Sequence, residues 1–197
     1  LSLFFGFLLF FIGRKSSKRI HFIEQLILII LVYLLTSFLL SIPFYLGNYQ
    51  VTFINSFFES VSGLTGTGFS IFENIKYLDP TLIIWRSSSQ WIGGLYFLFF
   101  LVLVFSNKQF NYKMNDLTFS GDGSINSENN IKGLLSKIFI FYSILSFIIF
   151  LSLNLTDIRM FNSLNLSMTL ISAGGFLPTN SLNNIINTNP KKIVFIL

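Results

Sequence analysis

The sequence predicts an all-α polytopic membrane protein built on a repeated unit of span, short helix, glycine-rich loop and span. Three observations carry this fold class. Hydrophobic residues make up 52% of the 197 and charged residues 11%, with 26 Phe among them, which is more apolar surface than a soluble core of this size could bury. The apolar residues gather in runs of the ~20 helical residues needed to cross ~30 Å of hydrocarbon. Two glycine-rich stretches interrupt them, and irregular backbone at membrane depth is tolerated only where protein buries it or where it lines a water-filled path.

Residues 1–13 read as the end of a preceding transmembrane helix, cut short. A signal peptide would carry its basic residues ahead of the apolar run, whereas Arg14, Lys15, Lys18 and Arg19 follow it and mark 14–25 as a cytoplasmic basic loop. Residues 26–105 form a first unit. It holds an apolar span over 26–46 with Pro43 near its far end, a short helix over 53–64, the loop Thr65-Gly66-Thr67-Gly68, a polar connector through Asp79-Pro80, and a span over 82–105. The polar stretch 106–132, with Gly121 and Gly123, reads as a cytoplasmic loop. Residues 133–197 form a second unit, with a span over 134–153, a short helix over 160–171, the loop Ser172-Ala173-Gly174-Gly175, and a last helix cut short. Both ends read as cut, so the chain is expected to be a piece of a longer protein.

The net charge of +5 sets topology rather than pointing to nucleic acid, because the basic residues sit beside apolar segments. The Arg14–Arg19 cluster, with Lys108, Lys113, Lys132 and Lys137, places those two loops in the cytoplasm. Both glycine-rich loops then face outward.

A shift of 107 residues brings Asn55 onto Asn162, Ser56 onto Ser163, Ser60 onto Ser167, Gly68 onto Gly175 and Phe69 onto Phe176. The same offset superposes span, loop and following span, which marks an internal repeat. Parallel repeats of this kind surround a common axis, so a ring of loops is expected there.

An alkali cation entering a narrow passage sheds water and needs replacement oxygens, which backbone carbonyls supply. Glycine lets carbonyls approach closely, and the two loops carry hydroxyls and no charge. The C-terminal ends of the short helices would aim negative dipole ends at the ion. Close helix packing is the competing reading of such small residues; the repeat and the polar connector after each loop favour the ion path. In that path Glu59 reads as a hydrogen-bond partner of the filter backbone rather than an ion-attracting charge. Arg86 and Trp85 read as anchors of an interfacial helix end, Asp157 and Arg159 as a solvated outer pair, and His21 as structural. With no Cys and one His, disulfides and a resident metal centre are not expected. The spans offer no paired Asp, Ser/His pair or His cluster, so an enzyme is not expected either.

FFESVSGLTGTGF, followed at Trp85 to Gly94 by WRSSSQWIGG, resembles the Trk/Ktr/HKT superfamily of potassium transporters, closest to its TrkH type. The second loop, Ala173-Gly174-Gly175-Phe176, resembles that family's ending in a small residue, Gly and Phe. Two departures stand out: Gly66 lies where Thr is common, and Tyr96 where glycine is expected. The resemblance implies a potassium-channel-like, pseudo-fourfold pore when complete, of which this chain supplies two units. It implies a filter of Thr65, Gly66, Thr67, Gly68, Ser172, Ala173, Gly174 and Gly175, supported by Glu59, Phe69 and Phe176. Potassium would be held by the carbonyls of Thr65, Gly66, Thr67, Ser172, Ala173 and Gly174, as substrate and without a cofactor in this chain. Gly68 implies potassium preference, since serine there accompanies sodium preference in the plant branch. The resemblance further implies a multi-pass protein of the bacterial inner membrane, a homodimer, and a cytoplasmic nucleotide-binding regulatory subunit. A sodium-permeable or weakly selective relative and a non-conducting assembly subunit remain as alternatives.

Overall fold

The computed structural model describes residues 21–47, 49–105, 128–156 and 158–186, with Gly6, Phe11 and Gly13 as isolated helical positions. The expectations for the Arg14–Arg19 cluster, most of the central loop, Asp157 and the last helix lie outside the described residues.

The first helix, α1, spans Phe22–Leu46. It starts four residues before the predicted span because the Glu24 carboxylate accepts a hydrogen bond from the backbone N–H of His21 at 2.9 Å, satisfying a donor that a helix start leaves without a partner. The short helix α2 covers Phe53–Thr65, and the Thr52 hydroxyl caps it by accepting from Asn55 N–H. After a single 3-10 turn at Ile75–Tyr77, α3 runs over Pro80–Phe105, with proline at its first position, where the missing N–H costs nothing. The second unit repeats the order: α4 over Glu128–Asn154, the short α5 over Met160–Ile171, then a single turn, α6, at Asn183–Ile186. Residues 128–132, expected in the central loop, belong to α4. Among the described residues α1, α3 and α4 have the length and apolar character to cross a membrane.

The molecule is apolar outside and mixes polar with apolar side chains inside. Along α1 the side chains of Ile27, Leu28, Ile30, Leu31, Leu34 and Phe38 are exposed, while Ser37 and Ser41 are buried. Serines, with Glu59, Arg86 and Gln90, take a large share of the interior of the first unit, and Ser163, Asn165, Ser167 and Thr169 are buried in the second beside a cluster of Leu153, Ile158, Leu166 and Ile185. Lipid tails are as apolar as leucine, so helices associate through close contact and polar pairing instead. Several of these hydroxyls are satisfied within their own helix: Ser41, Ser60 and Ser89 donate to the carbonyls of Phe38, Ser56 and Arg86 at 2.7, 2.9 and 2.6 Å. They therefore fill little space and demand no partner across the interface.

Helix α3 is the shared wall, touching α1, α2, α4 and α5. Trp85 donates from Nε1 to the Leu40 carbonyl on α1 at 3.0 Å, and Trp91 from Nε1 to Ser146 Oγ on α4 at 2.8 Å. Tyr96, one of the two departures from the family pattern, meets Tyr33 of α1 edge to face with ring centroids 6.0 Å apart. Gly93 marks the closest approach of α3 to α2, where a Cβ would overlap the Leu64 carbonyl oxygen and lie 2.7 Å from its carbon.

That contact predicts a contrast between two glycines. Gly93→Ala should cost about 1–3 kcal/mol, the usual penalty of overpacking. Gly133→Ala on α4, where a Cβ meets nothing within 4 Å, should be neutral or stabilise by up to about 1 kcal/mol. Thermal denaturation of the detergent-solubilised protein measures both, and equal Tm values for the two variants would refute the close contact.

Candidate functional site: two glycine-rich loops

The two loops turn on the same local chemistry. At the end of α2, Gly66 takes the left-handed conformation with φ 71° and its N–H bonds to the Gly63 carbonyl at 3.1 Å, while Thr67 N–H bonds to the Ser62 carbonyl at 3.1 Å. At the end of α5, Ala173 takes φ 52°, its N–H bonds to the Leu170 carbonyl at 3.0 Å, and Gly174 N–H bonds to the Thr169 carbonyl at 2.8 Å. Every residue in the second set lies 107 positions after its counterpart. The sequence repeat is thus also a repeat of backbone hydrogen bonds. An alanine held in the left-handed region costs about 1 kcal/mol or more, so the second loop keeps this turn against an intrinsic preference.

These turns spend the loops' N–H groups on the helix ends and leave their carbonyls free. Among the described residues no donor reaches the carbonyl oxygens of Thr65, Gly66, Thr67, Ser172, Ala173 or Gly174. The loops meet backbone to backbone: a Cβ on Gly68, itself at φ 75°, would stand 2.5 Å from Gly175 Cα and 2.8 Å from its N. Below the meeting point, at the C-terminal ends of α2 and α5, lies a cavity of about 490 Å³ walled by Thr65, Gly66, Ser172 and Ala173 and by Tyr33 and Phe97. Two partial negative helix ends thus border one space.

Behind the first loop sits a buried ion pair. Glu59 on α2 and Arg86 on α3 are 0% and 1% exposed, with Arg86 Nε 2.8 Å from Glu59 Oε1. The carboxylate also accepts from Ser70 Oγ and from Ile71 N–H, each at 2.9 Å. The guanidinium donates to Ser70 Oγ at 3.0 Å and reaches the Leu177 carbonyl at 3.5 Å, and its Cζ lies 4.2 Å from the centroid of the Phe176 ring. Arg86 is therefore no interfacial anchor; the helix that carries it is sandwiched between the two units, and its cation is neutralised there. Its neighbour Trp85 instead bonds to α1.

The remaining residues singled out by sequence separate. Phe176 is 1% exposed, seated on Arg86 and near Gly63, whereas its counterpart Phe69 is 72% exposed. Arg159 is exposed at the N-terminal boundary of α5, and His21 is exposed at that of α1. Sequence reasoning missed Ser62, whose Oγ donates to the Phe69 carbonyl at 2.5 Å and accepts from Thr67 Oγ1 at 3.0 Å. It also missed Asn180, which accepts from Ile75 N–H at 2.8 Å and donates to Asn74 at 2.9 Å, tying together the connectors that follow the two loops. Gln90 escaped notice as well, although Arg86, Gln90 and Gly93 at spacings of four and three mark one face of α3.

Comparison with known proteins bears on this arrangement. The family model described as TrkH, cation transport protein, matches residues 1–196. The chain belongs to the TrkH family. It is 29% identical over 177 residues to an uncharacterized cation transporter of Methanocaldococcus jannaschii, covering 89% of this chain and 36% of that protein. It is 38% identical over 72 residues to the Trk system potassium uptake protein TrkI of Halomonas elongata, covering 36% and 15%. With TrkG, the corresponding protein of Escherichia coli, it shares 30% identity over 83 residues, covering 42% and 17%. The chain spans about a third of the archaeal relative's length and less of the others. No solved structure shows a significant match. Family membership and the three apolar helices make this TrkH-family chain part of a multi-pass protein of the plasma membrane.

Losing one member of the buried pair should be severe. Glu59→Gln or Arg86→Met leaves the other charge unpaired, at a cost of about 3–5 kcal/mol, and Glu59→Gln/Arg86→Met together should cost less than the sum of the two. Chemical denaturation in detergent micelles reads all three, and strict additivity would sink the pairing.

Proposed function

We propose that this chain forms two walls of a potassium uptake pore in which the loops Thr65–Gly68 and Ser172–Gly175 act as filter segments. One observation carries the reading: six carbonyls without donors lie on two loops that touch each other above a shared cavity bordered by two helix C-termini. Carbonyls in such a position replace the hydration shell of an alkali cation, and the helix ends favour a cation without a fixed charge in the passage. Glu59 supports the first segment through Ile71 N–H and Ser70, and Phe176 braces the second.

Uptake then needs no reaction. Each charge gains ~2.3 kcal/mol per 100 mV of inside-negative potential, so the protein selects and gates. The potassium preference rests on the relatives named as potassium uptake proteins and on glycine at position 68. A pseudo-fourfold arrangement of four such units, a homodimeric assembly and control by a cytoplasmic nucleotide-binding subunit belong to the same reading. The transported ion is the substrate, and no cofactor takes part.

In the complete transporter, expressed in a host lacking its own potassium uptake, Gly68→Ala should lower potassium uptake by at least tenfold (about 1.4 kcal/mol), because the new Cβ strikes Gly175 and the φ is left-handed. Gly133→Ala serves as the control that retains uptake. Equal potassium and sodium fluxes in the wild type would instead establish a weakly selective cation pathway, and unchanged uptake in Gly68→Ala a non-conducting role.

A further inference from the structure

One interior residue not yet explained is Gln90, on α3 one turn beyond Arg86. It is fully buried. Its Oε1 accepts the N–H of Phe176, the first residue after the second loop, at 3.3 Å. Its Nε2 finds no partner among the described residues. Turning the amide over would set its donors against the Phe176 N–H, so the oxygen must face that group. The carboxamide also lies flat against Gly174: a Cβ there would overlap Cδ and Oε1 of Gln90 and stand 2.7 Å from Nε2. Gly174 does not occupy the left-handed region, so the Gln90 side chain, and not the backbone conformation, is what excludes a larger residue there.

We propose that Gln90 is a positioning residue for ion selection, holding the second loop at its distance from the first through Phe176 N–H and backing Gly174 with its amide plane. The idea rests on the filter reading above and assigns the second segment its support, as Glu59 supports the first. The two supports differ in kind. Glu59 acts within its own unit, whereas Gln90 belongs to the first unit and holds the loop of the second. The spread between the two loops is then set across the unit boundary by an uncharged group, which leaves no net charge beside the passage. The unspent Nε2 donor faces the loop backbone and is available to a loop carbonyl when the segment shifts.

The test uses the complete transporter in proteoliposomes and reads the ratio of potassium to sodium flux, with the amount of folded protein measured separately. Gln90→Ala should lower the ratio about fivefold, the size of one net hydrogen bond. Gly174→Ala should lower it comparably, by pushing against the amide. In Gln90→Ala/Gly174→Ala the second change should add little, because the group it strikes is gone. Gln90→Met, which keeps the length and volume but offers the Phe176 N–H no amide oxygen, should lower the ratio as Gln90→Ala does. A ratio unchanged in Gln90→Ala while total flux falls with folded protein would reduce Gln90 to a structural role and overturn the proposal. Effects of Gln90→Ala and Gly174→Ala that simply multiply would overturn it too. Should Gln90→Ala fail to fold, Gln90→Met with a wild-type ratio overturns it on its own. A wild-type ratio near one would remove the filter reading itself, an outcome distinct from a selective wild type with indifferent Gln90 variants.

Discussion

A guanidinium and a carboxylate, both removed from solvent, pair inside the first unit, and the guanidinium reaches the second through the Phe176 ring and the Leu177 carbonyl. Arg86 and Glu59 could not remain charged inside a helical membrane bundle singly, since an isolated buried charge costs far more than the protein could supply. Paired, and with Ser70, Ile71 N–H and the Leu177 carbonyl completing their hydrogen bonds, they become a fixed point. From it extend the short helix α2, the segment leaving the first loop, and through the Phe176 ring the exit of the second loop. Each loop is irregular backbone in a region where unsatisfied groups are penalised. Both loops leave their carbonyls free, so the surrounding protein must hold them by other means.

Close approach is what makes that holding possible. Gly93 brings α3 against the end of α2, and Gly68 lies on Gly175 without intervening side chains. Serines whose hydroxyls return to their own helix allow the same proximity without presenting an unsatisfied group. Buried serine serves close approach in this interior. The exterior, lined by Leu, Ile and Phe, faces hydrocarbon.

The spans and short helices were legible in the sequence, because apolar runs and their interruptions are governed by bilayer thickness. The predicted short helices, 53–64 and 160–171, match Phe53–Thr65 and Met160–Ile171 to within a residue. The 107-residue repeat was legible too, and in three dimensions it became a repeat of hydrogen bonds at Gly66/Ala173 and Thr67/Gly174. Arg86 was not legible. An arginine next to a tryptophan near the start of a span reads as an interfacial anchor, and only the packing of α3 between two units reveals that it points inward toward Glu59. Gln90 and Asn180 were hidden for a related reason: their partners lie 86 and 105 residues away, and no local pattern encodes such pairs.

Phe69 and Phe176 show how each loop leans on the unit before it. The two occupy equivalent positions after equivalent loops, yet one is exposed and the other buried. The difference lies in the neighbour and not in the loop. Phe176 packs on α3, a helix of the unit before its own, which supplies the cation above the ring and the Gln90 acceptor for its N–H. Among the described residues no helix stands in that relation to Phe69. Equivalent sequence therefore secures equivalent backbone, as the paired turns show, but the side-chain environment of each loop depends on what the preceding unit presents to it. The second loop is held by its predecessor as much as by its own helix, and in the proposed ring of four units a further unit would stand in that same relation to Phe69.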